Sequence, residues 1–419
     1  MTAAVHAVHE SFAATPMLQE RQQDTSFRTN GTSSSSKGDE VEVRTVTLGP
    51  WATLNQTLQF RSADAQFWWN TTGRTYAKLL HYAGYTSAEQ YRELTFYALF
   101  AAPELGLAPD AAGRVQGWRS PGTPDGTPID FSWEWSTDGR ATVRYAFEPI
   151  GRHAGTPSDP LNRQATDRWV SRLSEQDMIP GLDLEWYRHF TQQVLPPDDM
   201  DRSDQFIEET TPKAGTVVAL DIEKTGPVLK MYIYPGLKAR ELGISTLQMV
   251  QQAIRNLPRV QYEALNAEPV LDWLEEATVK YDCEMGLFGI DCLVPEDARL
   301  KLYARAPHVS MEYLMDVLTL GGRAPLDEST DAIADLQDFW NLFLADAPAV
   351  LPADAPGRAS PGFYYTLGCG KALSPKIYLL ASYGCKSDSD VLAKLRTFFS
   401  TRRSDGMIDR YEKALREIL

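Results

Sequence analysis

The sequence predicts an α+β fold in which antiparallel strand pairs alternate with helices, and three observations support this prediction. Segments of alternating apolar and polar residues come in pairs, and each pair is a candidate hairpin. Long stretches with helical periodicity separate the pairs. The second strand of each pair carries cations on one face and apolar residues on the other. Such a sheet can stay open, or it can close into an antiparallel β-barrel with a polar lumen and a surrounding ring of α-helices.

The sequence divides into a short N-terminal leader and one large domain. Residues 1–48 are predicted to be a disordered polar leader, because they are polar and contain the run TNGTSSSSKGDE. Residues 49–419 are then predicted to form a single barrel domain. Its first segment, from Asp64 to about Leu105, has helical periodicity, with Ser87 as a candidate N-cap.

Four strand pairs follow in chain order. They are TPIDFSWEW with ATVRYAFEP, TVVALDIEK with VLKMYIYP, EMGLFGIDCLV with ARLKLYAR, and GFYYTLG with PKIYLLAS. The helical stretches are DRWVSRLSEQDM through WYRHFTQQVL, TLQMVQQAIRNL, MEYLMDVLTLGG and VLAKLRTFF. The repeating unit is therefore helix, helix, strand, strand, found about four times.

Composition excludes several classes of partner. The formal net charge of -15 argues against nucleic acid or an anionic membrane surface. No window of about 18 apolar residues is present, so no transmembrane helix is expected. The start, MTAAVHAVHESFAATP, lacks the basic and apolar regions of a signal peptide. The four cysteines form no CxxC pair and no zinc-site spacing, which predicts reduced thiols in a cytoplasmic protein.

Cations and tyrosines alternate on the second strands of the pairs. In RLKLY, Arg299, Lys301 and Tyr303 share one face of the strand, because side chains alternate between faces. A single strand of this kind is most simply amphipathic, with its polar face in water. The same pattern in three separate hairpins is much less expected by chance. The corresponding residues elsewhere are Arg144, Lys230, Tyr232, Lys376 and Tyr378.

This set of side chains suits a particular chemistry. A cation buried without a partner costs several kcal/mol, so a lumen holding five requires an anionic ligand, carboxylates or water. Charge-assisted hydrogen bonds to phosphate oxygens contribute about 1.5–3 kcal/mol each, so the cluster can hold a diphosphate without a metal ion. Tyrosine ring faces attract cations, and they can shield the carbocation that remains when an allylic diphosphate ionises.

The first strands of two pairs carry carboxylates, whereas the cations are on the second strands. Asp130 and Glu134 share a face in DGTPIDFSWEW, and an inward Asp130 can accept a hydrogen bond from an indole N–H or a phenol. The alternative is a strand-end carboxylate in water. Asp221 and Glu223 in ALDIEK are candidate proton acceptors, or they can pair with Lys230 on the adjacent strand.

The chain resembles the fungal aromatic (indole) prenyltransferases of the dimethylallyltryptophan synthase family from about Trp51 to the C-terminus. The motifs that carry the resemblance are FWWNTTGRTYAKLLHYAGYTSAEQY, DGTPIDFSWEW, VRYAFEPIG, VLKMYIYPGLKA, RLKLYARAPHVSMEYLMDVLTLGGR and SPKIYLLASYG. The resemblance implies a barrel of αββα repeats inside a ring of helices. It also implies metal-independent transfer of a prenyl group, usually dimethylallyl, from its diphosphate to an aromatic acceptor, commonly an indole.

The resemblance assigns roles residue by residue. Asp130 matches the acidic residue that contacts the acceptor, and Glu223 lies where a proton-shuttling residue is expected. The remaining matches fall into two groups. The implied diphosphate-binding residues are Arg144, Lys230, Arg299, Lys301 and Lys376, and the implied cation shield is Tyr232, Tyr303 and Tyr378.

Three departures from the family pattern bear on the acceptor and the fold. The acidic position is usually Glu, and Asp130 is one methylene shorter. Members that modify tryptophan tend to have Lys where this chain has Glu223. The family ends in a further strand pair, whereas this sequence ends in the helical RYEKALREIL, so the final strand pair is apparently missing.

The main hypothesis is therefore a metal-independent aromatic prenyltransferase of fungal secondary metabolism. It uses dimethylallyl diphosphate and an aromatic small molecule, most simply an indole, with no cofactor and no nucleic acid or membrane partner; a homodimer stays open. PPDDMDRSD, residues 196–204, has the wrong spacing for the metal-binding DDxxD motif of other prenyltransferases. Two alternatives remain, a phenolic or polyketide acceptor, and a non-catalytic barrel that binds a small molecule.

Overall fold

The computed structural model describes residues 49–136, 141–197, 214–324, 332–345, 348–351, 362–378, 385–402 and 405–418. The predicted leader, residues 1–48, lies outside the described residues, as does most of the acidic segment 196–204. No helix in the described ranges is long and apolar enough to cross a membrane.

The described strands form one antiparallel sheet in which each strand pairs with the next in the chain. All four predicted hairpins are present. The strands are β1 (Ile129–Trp135), β2 (Ala141–Phe147), β3 (Thr216–Glu223), β4 (Gly226–Ile233), β5 (Glu284–Asp291), β6 (Arg299–Arg305), β7 (Gly362–Gly368) and β8 (Ser374–Tyr378). The sheet curls so far that Lys376 on β8 reaches Glu134 on β1. Within the described residues it is an incomplete barrel of four strand pairs, as predicted.

Helices lie before, between and after the hairpins, and the predicted helical stretches are confirmed. Before β1 lie α1 (Pro50–Thr57), α2 (Ala63–Trp68), α3 (Arg74–Tyr82) and α4 (Ser87–Phe96); between β2 and β3 lie α5 (Arg163–Glu175) and α6 (Glu185–Val194). Between β4 and β5 lie α7 (Gly236–Glu241), α8 (Thr246–Arg255), α9 (Arg259–Leu265) and α10 (Glu268–Tyr281). Between β6 and β7 lie α11 (Met311–Thr319) and α12 (Ala332–Phe343), and after β8 lie α13 (Asp388–Ser400) and α14 (Asp405–Ile418).

The prediction that Ser87 caps α4 is wrong, because the N-cap is Thr86. The Glu89 backbone N–H donates to Thr86 Oγ1 at 3.3 Å, and the Thr86 backbone N–H donates to Glu89 Oε2 at 2.7 Å. This reciprocal pair is a capping box, and its signal is Thr followed three residues later by Glu. The sequence TSAE therefore contained the correct cap one residue earlier.

The apolar faces of the strands pack outward on the helices. Leu300 and Leu302, the leucine face of β6, are fully buried. Aromatic pairs mark the strand–helix contacts around the sheet, because large rings fill the space between the two layers. With ring-centroid distances, these pairs are Trp135 with Phe399 of α13 at 5.1 Å, Phe147 with Trp169 of α5 at 5.2 Å, Phe288 with Phe190 of α6 at 5.2 Å, and Phe363 with Tyr313 of α11 at 6.3 Å.

A β-bulge changes which residues of β5 face the lumen. Met285 lies opposite Ala304, but Leu287 lies opposite Tyr303, so Gly286 is an extra residue in the register. After the bulge, Leu287, Gly289 and Asp291 take the same face as the cations of β6. The bulge thus decides that Asp291 enters the lumen.

A tyrosine from the helical layer extends the pairing of β2 with β3, which spans only four residues of each strand. The Tyr85 hydroxyl donates to the Ile222 carbonyl at 2.6 Å and accepts from the Val143 N–H at 3.2 Å. It therefore replaces the ladder hydrogen bonds beyond Asp221, where the strands diverge.

We expect Tyr85→Phe to lower the free energy of unfolding by about 1–3 kcal/mol, because it leaves a strand N–H and a strand carbonyl unpaired. Urea denaturation followed by circular dichroism measures the change. Tyr82→Phe is the matched control, since its exposed hydroxyl bonds to Glu417 at the surface and should matter less. Equal stability of Tyr85→Phe and wild type would contradict this role.

Candidate active site

The concave face of the sheet encloses a cavity of about 420 Å³ that is partly open to solvent. Its walls are the lumen-facing residues of β2, β3, β4, β6, β7 and β8, together with Glu134 of β1. Asp130 is not among the lining residues. The predicted site residues that do line the cavity are Arg144, Glu223, Lys230, Tyr232, Arg299, Lys301, Tyr303, Lys376 and Tyr378.

Strand register explains why residues far apart in sequence converge. Lys301 lies opposite Gly289 on one side and Thr366 on the other, and Tyr303 lies opposite Tyr364. Since side chains alternate between the faces of a strand, all of these residues point to the same side. The lumen therefore carries a layer of charged residues and, next to it, a layer of tyrosines.

The charged layer is built from cations that share carboxylates. Asp221 bridges Arg144, whose Nε lies 3.0 Å from Oδ1, and Lys230. Asp291 bridges Arg299 and Lys301, with the Lys301 Nζ 3.3 Å from its Oδ1. Each carboxylate offsets part of the cost of bringing two cations into the barrel.

Glu134 completes the charged layer at the junction of the first and last strands. Lys376 Nζ donates to Glu134 Oε1 at 2.9 Å, and Arg144 pairs with Oε2. Within the described residues, the five predicted cations thus share three carboxylates, Glu134, Asp221 and Asp291. The layer keeps an excess of positive charge, as a site for an anion requires.

Burial and neighbouring charges shift the pKa values in opposite directions. Burial, together with the nearby Lys230, lowers the pKa of Lys301 to about 7. Burial also lowers the pKa of Lys376. Burial alone would raise the pKa of Asp221, but Lys230 and Arg144 outweigh it and hold that pKa well below its usual range. Asp221 is therefore fully ionised at neutral pH, whereas Lys301 titrates there.

The tyrosine layer contains the three predicted residues and Tyr364. The Tyr303 ring lies at its centre, with centroid distances of 5.8 Å to Tyr232, 4.6 Å to Tyr364 and 6.4 Å to Tyr378. Burial raises the pKa of Tyr303 and Tyr378 well above the ordinary value, and that of Tyr364 to about 12. The phenols therefore stay protonated, and none is a phenolate that could capture a carbocation.

Gly289 makes the contact between two of these rings possible. A Cβ atom at this position would lie 3.1 Å from Tyr232 Cδ1 and 3.4 Å from Tyr303 Cε2. The first distance is short for a carbon–carbon contact and the second is at van der Waals contact, so a side chain here would require the Tyr232 ring to shift by a few tenths of an ångström. The absence of a side chain at Gly289 therefore leaves the space that the Tyr232 and Tyr303 rings occupy.

Asp130 lies on the lumen face of β1, two alternate positions from Glu134 and outside the charged layer. Its neighbours Phe131 and Trp133 point the other way, Phe131 toward Tyr76 of α3 and Trp133 toward Tyr411 of α14. The Asp130 side chain is accessible to water, but the surrounding barrel keeps it from bulk solvent, and this desolvation raises its pKa to about 6. Both properties fit a group that faces an enclosed, water-accessible lumen.

Glu223 lies at the mouth of the cavity, at the end of β3, and its side chain is exposed. Arg92 of α4 holds the adjoining turn, since its guanidinium donates to the Lys224 carbonyl at 3.3 Å and to the Glu223 carbonyl at 3.5 Å. Glu223 of β3 lines the cavity, whereas Asp130 of β1 does not.

Sequence reasoning missed several lumen residues, Tyr364 and Asp291 among them, and gave Glu134 no role. Tyr364 follows from simple alternation in GFYYTLG, where Phe363 and Tyr365 are the outward pair. Asp291 lies on the face opposite the buried Phe288 and Ile290, but the bulge at Gly286 breaks the alternation when the strand is followed from its start. Glu134 was placed on the correct face, but its two cation partners come from β2 and β8 and cannot be read from its own strand.

No group of three or more described His, Cys, Asp or Glu residues is arranged to hold a metal ion.

Comparison with known proteins identifies the family. Residues 64–414 match the family model described as tryptophan dimethylallyltransferase. The chain belongs to the tryptophan dimethylallyltransferase family. The predicted family is thereby confirmed, and this family member is an aromatic prenyltransferase, a dimethylallyltransferase.

Curated relatives of this family member act on different aromatic rings by name. It is 30% identical over 358 residues to 4-O-dimethylallyl-L-tyrosine synthase of Claviceps purpurea, covering 83% of this chain and 79% of the relative. It is 30% identical over 382 residues to xanthone prenyltransferase B of Emericella nidulans, covering 84% and 80%. It is 29% identical over 399 residues to tryptophan dimethylallyltransferase 1 of Epichloe coenophiala, covering 90% and 87%.

Solved structures share the fold of this dimethylallyltransferase. The crystal structure of NotF with brevianamide F and DMSPP superposes with a TM-score of 0.75 at 23% identity, covering 88% of this chain and 90% of NotF. AnaPT from Neosartorya fischeri gives a TM-score of 0.73 at 23% identity, covering 87% and 88%. The predicted barrel architecture is therefore confirmed.

Proposed function

We propose that this prenyltransferase transfers a dimethylallyl group from its diphosphate to an indole acceptor, a tryptophan derivative or a cyclic dipeptide, without a metal ion, in fungal secondary metabolism. The observation that supports this proposal best is the adjacency of two layers in one cavity. Five cations lie beside a cluster of neutral tyrosine rings, which suits the two fragments of an ionising allylic diphosphate.

The cations bind the diphosphate and stabilise it as it leaves. When the allylic C–O bond breaks, its electron pair goes to the diphosphate, and the developing negative charge meets Arg144, Lys230, Arg299, Lys301 and Lys376. These side chains supply the positive charge that a metal ion supplies in other prenyltransferases. Their carboxylate partners hold them in place before the substrate arrives.

The tyrosines stabilise the allyl cation. Their ring faces carry negative quadrupole density, and the contacts among Tyr232, Tyr303, Tyr364 and Tyr378 make a continuous aromatic wall. Such a wall keeps water from the cation. Its hydroxyls are held protonated by burial, which leaves the acceptor as the nucleophile.

The acceptor binds deeper in the barrel, on the far side of the tyrosine layer from the charged layer. The Asp130 carboxylate accepts a hydrogen bond from the N–H of the indole acceptor. This hydrogen bond raises the electron density of the indole ring and orients the attacking carbon. The ring carbon forms the new C–C bond to the allyl cation. A base then removes the ring proton. Glu223 is our candidate for that base, and because it lies at the mouth of the cavity it would receive the proton through water in the lumen.

A phenolic acceptor is the second candidate. Asp130 is shorter than the usual Glu, Glu223 stands where tryptophan-modifying members tend to have Lys, and one relative is named for a tyrosine product. A phenol O–H can donate to Asp130 as an indole N–H does.

Product formation from purified protein and dimethylallyl diphosphate tests both candidates. The acceptor panel holds tryptophan, tryptophan-containing cyclic dipeptides, tyrosine and hydroxynaphthalenes, each with and without EDTA. Prenylated indole that survives EDTA supports the proposal, and prenylated phenol alone supports the second candidate. Diphosphate binding without turnover of any acceptor would favour the non-catalytic alternative.

A further inference from the structure

Glu134 differs from the other two carboxylates of the charged layer in its surroundings. Asp221 and Asp291 lie on inner strands of the sheet, and their side chains are 6% and 1% exposed. The Glu134 side chain is 16% exposed and lies on the first strand of the sheet, and it lines the cavity as Asp221 also does. Asp221 pairs with cations of the two strands next to its own, whereas the longer Glu134 side chain also reaches Lys376 on β8, at the other end of the sheet.

The two cations that Glu134 contacts are both implied diphosphate ligands. Lys376 Nζ donates to Oε1 at 2.9 Å, and Arg144 pairs with Oε2. Both oxygens of the carboxylate are therefore engaged by groups that a diphosphate would bind. In this arrangement Glu134 stands where the oxygens of an anionic ligand would contact Arg144 and Lys376.

We propose that Glu134 is an internal anion that competes with diphosphate for Arg144 and Lys376 and thereby promotes release of the diphosphate product. This inference rests on the proposed function for its place in the turnover. The claim that Glu134 competes with diphosphate can be tested with inorganic diphosphate alone and does not depend on which acceptor is used.

The physical reason is that Arg144 and Lys376 cannot keep their full pairing with the Glu134 carboxylate while they also bind the diphosphate. While diphosphate is bound, the carboxylate loses part of its pairing and lies beside phosphate oxygens of the same charge. This raises the free energy of the bound state. Once the prenyl group has been transferred, the carboxylate pairs again with both cations, and that pairing offsets their loss of the diphosphate.

Glu134→Gln isolates the charge from the shape. Glutamine has the same length, and its amide oxygen still accepts a hydrogen bond from Arg144 or Lys376. We expect the dissociation constant of inorganic diphosphate, measured by calorimetry without acceptor, to fall about tenfold. Unchanged or weaker binding by Glu134→Gln would overturn the proposal.

Glu263→Gln is the matched control, because it makes the same change in net charge at an exposed ion pair with Arg259 on α9. Its diphosphate affinity should equal that of wild type. Thermal unfolding checks that each variant is folded. If Glu134→Gln is not, Glu134→Asp decides, since the shorter carboxylate cannot span both cations and should also bind diphosphate more tightly than wild type.

Kinetics tests the release step. With dimethylallyl diphosphate and an active acceptor, Glu134→Gln should lower the steady-state kcat by a larger factor than it changes the single-turnover rate. Inhibition by added diphosphate should strengthen. A lowered single-turnover rate with unchanged product inhibition would overturn the release role. If no acceptor is prenylated, the proposed function fails, while the calorimetric result still decides whether Glu134 competes with diphosphate.

Discussion

Lys301→Met is expected to lower kcat/KM for dimethylallyl diphosphate by about 10²–10³-fold, the usual loss when one preorganised donor to a developing anion is removed. Lys301 is buried in the charged layer and contacts Asp291, next to Lys230. Methionine has a similar length and fills the space of the aliphatic chain. Arg299 still pairs with Asp291, so the carboxylate keeps a partner.

The same residue predicts a pH dependence. Burial lowers the pKa of Lys301 to about 7, and only the protonated form attracts a phosphate oxygen. Diphosphate affinity of the wild type should therefore be highest below pH 7 and fall as the pH rises above it. Lys301→Met should lose this limb of the profile, which calorimetry with inorganic diphosphate at several pH values would show.

Lys280→Met is the control for the loss of one lysine charge. Lys280 pairs with Asp316 on the outer helices, and its side chain is half-exposed. Its kcat/KM should stay within about twofold of wild type, as for most surface changes away from a site. A similar loss in both variants would mean that total charge, and not the position of Lys301, controls activity.

Asp130→Asn is expected to lower kcat/KM for the acceptor by about 10²–10⁴-fold, while the KM for dimethylallyl diphosphate changes little. Asparagine keeps the size and one acceptor oxygen but loses the charge that polarises the acceptor N–H or O–H. The split between the two substrates follows from the position of Asp130 outside the charged layer. Steady-state kinetics with each substrate varied in turn measures it.

The wild-type pH profile should identify Asp130 as the group concerned. Burial raises its pKa to about 6, and the ionised form is the one that accepts the hydrogen bond. Activity should therefore rise as the pH increases through about 6, and Asp130→Asn should show no such rise. Asp272→Asn, an exposed position on α10, is the control. An acid limb that persists in Asp130→Asn would assign it to another group.

Much of the fold was predictable from local pattern, because the alternation in each strand records which face is buried. The four hairpins, the outward leucines of β6 and the principal helices all follow from spacing within a segment. The cap of α4 was misplaced by one residue, although the TSAE signal was present. The recurrence of cations and tyrosines on the second strands likewise identified most of the cations and tyrosines that line the cavity, because each lies on the polar face of a regular strand.

What the sequence determined by itself was the face on which each regular strand places its residues, because that depends only on a period of two. Tertiary structure decided how the faces combine. The bulge at Gly286 turns Asp291 into the lumen, register sets Tyr303 against Tyr364, and the curl of the sheet brings Glu134 to both Arg144 and Lys376. These pairings join residues on different strands, and only the register and curl of the sheet set the distances between them.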